Sequence, residues 1–175
     1  MRTVVVYESM FGNTRAIAEG LGTGSNVQVI GVTDADRNVL DGADLVIVGG
    51  PTHAWGMSRP NTRKGAPAYV RKPGSGLVLE SDADTGLGVR EWLASLGQVH
   101  ASAAGFDTRI KAPAVFTGRA SPAIVRQLSR HGLTVVTGPK SFFVSRKSHL
   151  LAGEPDRARD WGARLAAMVA PRTRA

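Results

Sequence analysis

Apolar runs and mixed segments take turns along the chain. The β-branched run TVVVY (Thr3–Tyr7) leads into a segment over Asn13–Leu21 where Ile17, Ala18 and Leu21 share one face at helical spacing. A short apolar stretch, VQVIGV (27–32), follows, and then a weak helical turn with Val39 and Leu40 as its apolar contacts. DLVIVGG (44–50) is continuous and ends at Gly-Gly-Pro, the pattern of a strand buried on both faces. Val89, Trp92, Leu93 and Leu96 fall at i, i+3, i+4 and i+7 and predict a helix. ASAAGF (101–106) reads as a fourth, alanine-rich strand. Ile124, Val125 and Leu128 mark a helix that stops at His131-Gly132. A fifth strand covers LTVV and extends to SFFV across Gly138-Pro139. The last helix starts near Pro155 and is expected to bury Trp161, Leu165, Met168 and Val169.

Strands alternating with helices build βαβ units on a mostly parallel sheet. Five strands favour the doubly wound α/β order 2-1-3-4-5 over the six-stranded dinucleotide order. Strand order then reverses between the first and third strands, and ligands bind outside the carboxyl ends at such a point. The loops to watch are therefore 8–14, 49–59 and the one after the fourth strand. Residues 57–85 break the alternation, being long for a connection and rich in Pro, Gly and charge. They hold either a short helix around Asn61–Arg71, with Ala66, Tyr69 and Val70 on one face, or a basic loop. The whole reads as one domain over 1–170 with a basic tail over 171–175.

Composition narrows the class. Hydrophobic content of 42% with 21% charged residues is globular. No apolar run approaches the roughly 20 residues that span a bilayer. The N-terminus enters a strand without the pattern of a secretory signal, so a cytoplasmic protein with no membrane contact is expected. Without cysteine there are no disulfides, thiolate nucleophiles or most zinc and iron–sulfur sites. The histidines sit on separate elements without paired ligand spacing, so no metal site is expected. No Gly-x-Ser-x-Gly elbow supports hydrolase chemistry. Gly49-Gly50-Pro51 stands where a phospho-accepting receiver domain of this topology needs an aspartate. The net charge of +8, from 22 Lys plus Arg against 14 Asp plus Glu, steers the chain toward anionic partners. The basic residues are dispersed, however, and nucleic acid is not the expected partner.

Two loops carry the candidate chemistry. In the first, Ser9, Met10, Phe11, Gly12, Asn13 and Thr14 lead into a helix N-terminus, whose unpaired N–H groups and partial positive charge suit a phosphate. Gly12 permits close approach, and Ser9, Asn13 and Thr14 add hydrogen-bonding side chains. No lysine is present, as a nucleoside-triphosphate loop would require, so a phosphate monoester on neutral donors fits better. The same three polar side chains would serve equally as helix caps. The second loop, Pro51, Thr52, His53, Ala54, Trp55 and Gly56, places a tryptophan beside the same reversal point. Trp55 either packs on something flat or covers the core, and Gly56 lets the adjoining peptide take either orientation. After the fourth strand come Phe106, Asp107, Thr108 and Arg109. Phe106 suits the last inward position of the strand, and Asp107 and Arg109 could pair at the surface.

These loops resemble those of the flavodoxin family. SMFGNT resembles that family's Thr/Ser-x-Thr-Gly-x-Thr phosphate loop, with Phe11 where threonine is usual. PTHAWG is similar to the loop whose tryptophan stacks on the flavin while the next glycine turns its carbonyl toward flavin N5. The resemblance implies a three-layer flavodoxin-like fold and bound FMN, with phosphate at Ser9–Thr14 and ring near Thr52–Gly56. Residues 106–109 are assigned to the other edge of the flavin from topology, since no family motif occurs there. The implied function is electron transfer between a reductase and an acceptor, acidic partners suiting this chain's charge. An FMN-dependent NAD(P)H or quinone reductase, or a flavin-free binding module, are alternatives on the same fold. Family members are typically acidic, whereas here Arg59 and Arg109 lie near the predicted rim. Positive charge there lowers the free energy of a developing anion, so the second reduction step should be less negative.

Overall fold

The computed structural model describes residues 1–22, 24, 26–81 and 83–169, and the expected tail at 171–175 lies outside the described residues. Val4, Val5 and Val6 of β1 (Thr3–Tyr7) are all fully buried. Val4 and Val6 join one apolar cluster and Val5 the other, as a pleated strand covered on both faces requires. After it come α1 (Asn13–Leu21), β2 (Val27–Gly31), a 3-10 turn at Arg37–Leu40 and β3 (Leu45–His53). The chain then forms β4 (Gly56–Met57), α2 (Pro60–Arg63), α3 (Ala66–Val70) and α4 (Val89–Ser95). The final third holds β5 (Ser102–Ile110), α5 (Ala114–Thr117), α6 (Ser121–Arg130), β6 (Thr134–Val135), β7 (Lys140–Val144) and α7 (Glu154–Val169).

The sheet runs β2-β1-β3-β5-β6, with β7 also paired to β5 and β4 folded back antiparallel on β3. β6 and β7 are the two halves of the expected fifth strand, both parallel to β5. The predicted order 2-1-3-4-5 is thus the observed one. Ile17, Ala18 and Leu21 of α1 and Ala158, Trp161 and Leu165 of α7 cover one face. Val89, Trp92 and Leu93 of α4, with Ile124 and Leu128 of α6, cover the other. Trp92 satisfies its indole N–H by donating to the Ala35 carbonyl at 2.8 Å.

Several boundaries differ from the sequence reading. β5 runs past Phe106 to Ile110, because β3 on one side and β7 on the other supply ladder partners for residues 107–110. β3 likewise continues through Pro51 to His53. The segment read as either one short helix around 61–71 or a basic loop forms the two short helices α2 and α3. Of the residues expected in the core from the last helix, Met168 is exposed, whereas Val169 packs against the apolar cluster.

The tightest point of the core lies where Gly49 faces Phe106 across the β3–β5 ladder. A Cβ added to Gly49 would lie 2.0 Å from the Phe106 ring. That ring meets Phe142 and Trp161 edge-on, with centroids at 5.8 and 6.4 Å. Gly49 is needed for space, and the aromatic cluster has none to yield. Gly49→Ala should cost about 3 kcal/mol of stability through overpacking, read from the urea midpoint at unchanged slope.

Candidate functional site

β1 stops at Tyr7, opposite Gly49, while β3 and β5 continue. The loop after β1 therefore drops beside the exposed ends of its neighbours. Gly12 is the N-cap of α1, at φ 80°, and no side chain caps the helix. Its first turn closes with Ala16 N donating to Gly12 O, so the amides of Asn13, Thr14 and Arg15 have no helical partner. The side chains that could have capped it are otherwise placed. Thr14 is buried and its Oγ1 lies 2.7 Å from Thr108 Oγ1, while Asn13 Nδ2 donates to the Ser148 carbonyl at 2.7 Å. Ser9 Oγ is buried without a hydrogen-bond partner. Among the described residues no side chain caps the helix, against the capping alternative, and the loop leading into it lines a cleft.

The second loop is tighter than expected. Thr52–His53 pairs antiparallel with Gly56–Met57, leaving Ala54-Trp55 as a two-residue hairpin turn. Both turn residues have positive φ, 49° and 67°. Such turns favour Asn-Gly, and holding Ala and Trp there stores strain of about 1–3 kcal/mol each. The strain is held in place by Gly118, whose backbone bridges to Trp55 so closely that a Cβ would meet Trp55 Cα at 2.3 Å. The Trp55 side chain is 68% exposed, so it does not cover the core. Thr52 Oγ1 accepts from Ala120 N at 3.0 Å. His53 Nδ1 is buried with no partner, and burial lowers the imidazole's proton affinity, favouring its neutral form.

Of the residues assigned after the fourth strand, Thr108 and Arg109 line the cleft and Phe106 and Asp107 do not. Phe106 belongs to the core described above. Asp107 is fully buried and accepts from Ser121 N at 2.7 Å, holding the start of α6 rather than pairing with Arg109. Arg109 instead fastens the following loop, donating to Ala112 O at 2.7 Å and Thr117 Oγ1 at 2.9 Å, with its guanidinium over the Phe143 ring. That loop carries Phe116, 71% exposed and lining the same cleft as Trp55.

The cleft occupies about 670 Å³. Ser9, Met10, Phe11, Asn13, Thr14 and Pro51–Trp55 line it, whereas Gly12 and Gly56 do not. Sequence reasoning gave no sign of the Arg146–Ser148 loop before α7 and did not count Phe116 among the site residues; the 57–85 segment, a candidate roof from its length, contributes Tyr69, Lys72 and Ser75. An aromatic in the loop after the fourth strand was the one local signal for any of these. Four lining residues are Lys or Arg and none is Asp or Glu. The expected neutral cradle is thus neutral only in its own loop. Arg59 is not among the lining residues.

Phe11, unusual in its motif, has a packing role. Its ring lies 6.4 Å from that of Tyr69, and it packs with Met10, Ala66, Ala83 and Leu79 in a small apolar cluster. Glu80 N donates to Met10 O at 2.9 Å. Phe11 therefore holds the 57–85 segment against the loop.

Sheet order, reversal point and cleft define a flavodoxin-like α/β domain. No protein-family model matches the chain, and no curated protein matches it in sequence. Among solved structures, a flavodoxin from the domain Archaea is similar at 22% identity, covering 97% of this chain and 99% of that one, with a TM-score of 0.64. Flavodoxin 1 from Bacillus cereus is similar at 17% identity over 95% and 98% of the two chains, TM-score 0.60. A WrbA-like flavodoxin from Agrobacterium tumefaciens is similar at 20% identity over 96% of each, TM-score 0.59. The chain has the flavodoxin-like fold.

Beside the cleft, Glu8 ties the end of β1 to Ser58 and to the start of α4. It is 5% exposed, with Ser58 Oγ donating to Oε1 and Val89 N to Oε2 at 2.8 Å. Arg63 donates in turn to Ser58 Oγ and pairs with Glu91, at 2.9 Å each. Burial pushes the Glu8 carboxyl above the ordinary glutamate range, against the downward pull of these hydrogen bonds and the Arg63 charge. The folded chain then holds a proton that the unfolded chain has released. The resulting stabilisation is complete below the ordinary glutamate range and is lost as pH rises through the raised value. Stability measured against pH should therefore fall across that window in the native chain and be flatter in Glu8→Gln; parallel profiles would contradict this origin.

Proposed function

We propose that the cleft binds FMN and that the protein passes electrons between a reductase and an acceptor, with acidic partners favoured by its net charge of +8. The observation that carries this reading is the open end of α1. Uncapped amides and the partnerless Ser9 Oγ belong to a loop that lines the cleft, which also holds an exposed tryptophan. An orphaned buried hydroxyl beside free amides fits a phosphate, and Trp55 with Phe116 offers flat apolar surfaces for an isoalloxazine ring.

In this arrangement the amides of Asn13 to Arg15 and Ser9 Oγ bind the phosphate. Thr14 and Asn13 keep the loop's shape through Thr108 and Ser148. Trp55 orients the ring from the strained hairpin, and neutral His53 presents Nδ1 as a hydrogen-bonding atom. Bound FMN supplies the electron-transfer chemistry, and the chain supplies position and charge. Positive charge from Lys72, Arg109, Arg146 and Lys147 favours extra electron density in the cleft. The roof over the cleft supports a second reading, an FMN-dependent NAD(P)H or quinone reductase.

A visible spectrum of the purified protein, before and after adding FMN, tests the cofactor. No uptake would leave a flavin-free module. Turnover of NADPH with a quinone by the isolated protein would favour the reductase, and reduction only through a separate reductase the carrier. Ser9→Ala should weaken FMN by about tenfold through loss of a charge-assisted hydrogen bond, with riboflavin unaffected. Equal weakening of both would place the phosphate elsewhere. In a potentiometric titration, the second reduction step should be less negative than in acidic flavodoxins.

A further inference from the structure

Two arms of the chain, far apart in sequence, close over the open end of α1. One is the roof, where Lys72 Nζ stands 4.5 Å over the Tyr69 ring and Tyr69 packs toward Phe11 of the loop. The other is the loop between β7 and α7, joined to the helix end by Asn13 Nδ2 donating to Ser148 O at 2.7 Å. The arms also meet each other, with His149 Nε2 3.1 Å from Ser75 O. Lys72, Arg146 and Lys147 are exposed, line the cleft, and have no ion-pair partner among the described residues. Cations gathered in one cleft with no carboxylate in its lining repel one another. A dianion at the helix end would convert that repulsion into attraction from both sides.

We infer that Lys72 on one arm and Arg146 with Lys147 on the other form a two-sided cationic clamp for the ligand's phosphate. The clamp makes this cleft select phosphorylated over unphosphorylated ligands by charge brought from outside the loop. It rests on the flavin reading for the identity of that ligand, but not for its phosphate. All three residues sit on exposed segments, so the selectivity is salt-sensitive, unlike the contribution of the buried Ser9 hydroxyl and the helix amides.

The test compares the native chain with the triple variant Lys72→Gln, Arg146→Gln, Lys147→Gln. FMN and riboflavin are titrated by flavin fluorescence at low and high salt. The expected result is an FMN affinity lower by on the order of tenfold or more at low salt, with riboflavin unchanged within about twofold. The native chain's FMN affinity should fall with added salt much more steeply than the variant's. An unchanged FMN affinity and salt slope, or an equal loss for riboflavin, would overturn the clamp. If the native chain takes up neither flavin, the flavin reading fails and inorganic phosphate decides the clamp. Phosphate-induced amide NMR shifts at Gly12 to Arg15 that weaken in the variant would uphold it. Identical shifts in both chains, or none in the native chain, would overturn it.

Discussion

The ladder between β3 and β5 carries the rest of the structure. Their register runs from Leu45–Ser102 to Pro51–Thr108, while β1 ends opposite Gly49. A parallel sheet with one short central strand has a notch at its carboxyl end, and the loop into α1 fills that notch. The fit depends on the ladder at close range. Gly49 must lack a side chain so that Phe106 can lie against it, and Thr108 must reach the end of the sheet so that its hydroxyl meets Thr14. Shifting the register of β5 by one residue would turn Phe106 toward the opposite layer and Thr108 away from α1.

Around this notch the chain uses two kinds of attachment. The 57–85 segment, which contributes little regular structure, is joined to the first loop by the apolar cluster of Met10 and Phe11 with Ala66 and Leu79. A polar network beneath it links Glu8, Ser58, Arg63 and Glu91. Burying these charges has a desolvation cost, and each partner offsets it only while the others stay in place. The roof and the first loop are in this way mechanically one unit, although dozens of residues separate them in sequence.

The hairpin at Ala54-Trp55 shows the same dependence in the backbone. Two non-glycine residues in the left-handed region persist because Gly118 presses against the second of them, Trp55, and Arg109 holds the loop that contains Gly118. Arg109, from its position an obvious source of charge, spends most of its donors on this fastening. The more available charges come from segments with no motif at all.

The sequence by itself determined the alternation of strands and helices, the sheet order, and the two loops at the reversal point. Burial periodicity and strand-to-helix turns are local properties, and they are written at spacings of two to four residues. Phe106 was legible as an inward residue for the same reason. Only the tertiary structure decided that α1 is uncapped, since Asn13 and Thr14, suited by type to cap it, are drawn elsewhere by Ser148 and Thr108, and Ser9 Oγ finds no partner. It also decided that β5 extends past Phe106, because a strand's length follows from the partners it finds on either side. The cations of the cleft were illegible for a related reason. Lys72, Arg146 and Lys147 are ordinary surface residues until the fold brings two remote segments to the end of one helix, and spacing along a chain does not encode that proximity.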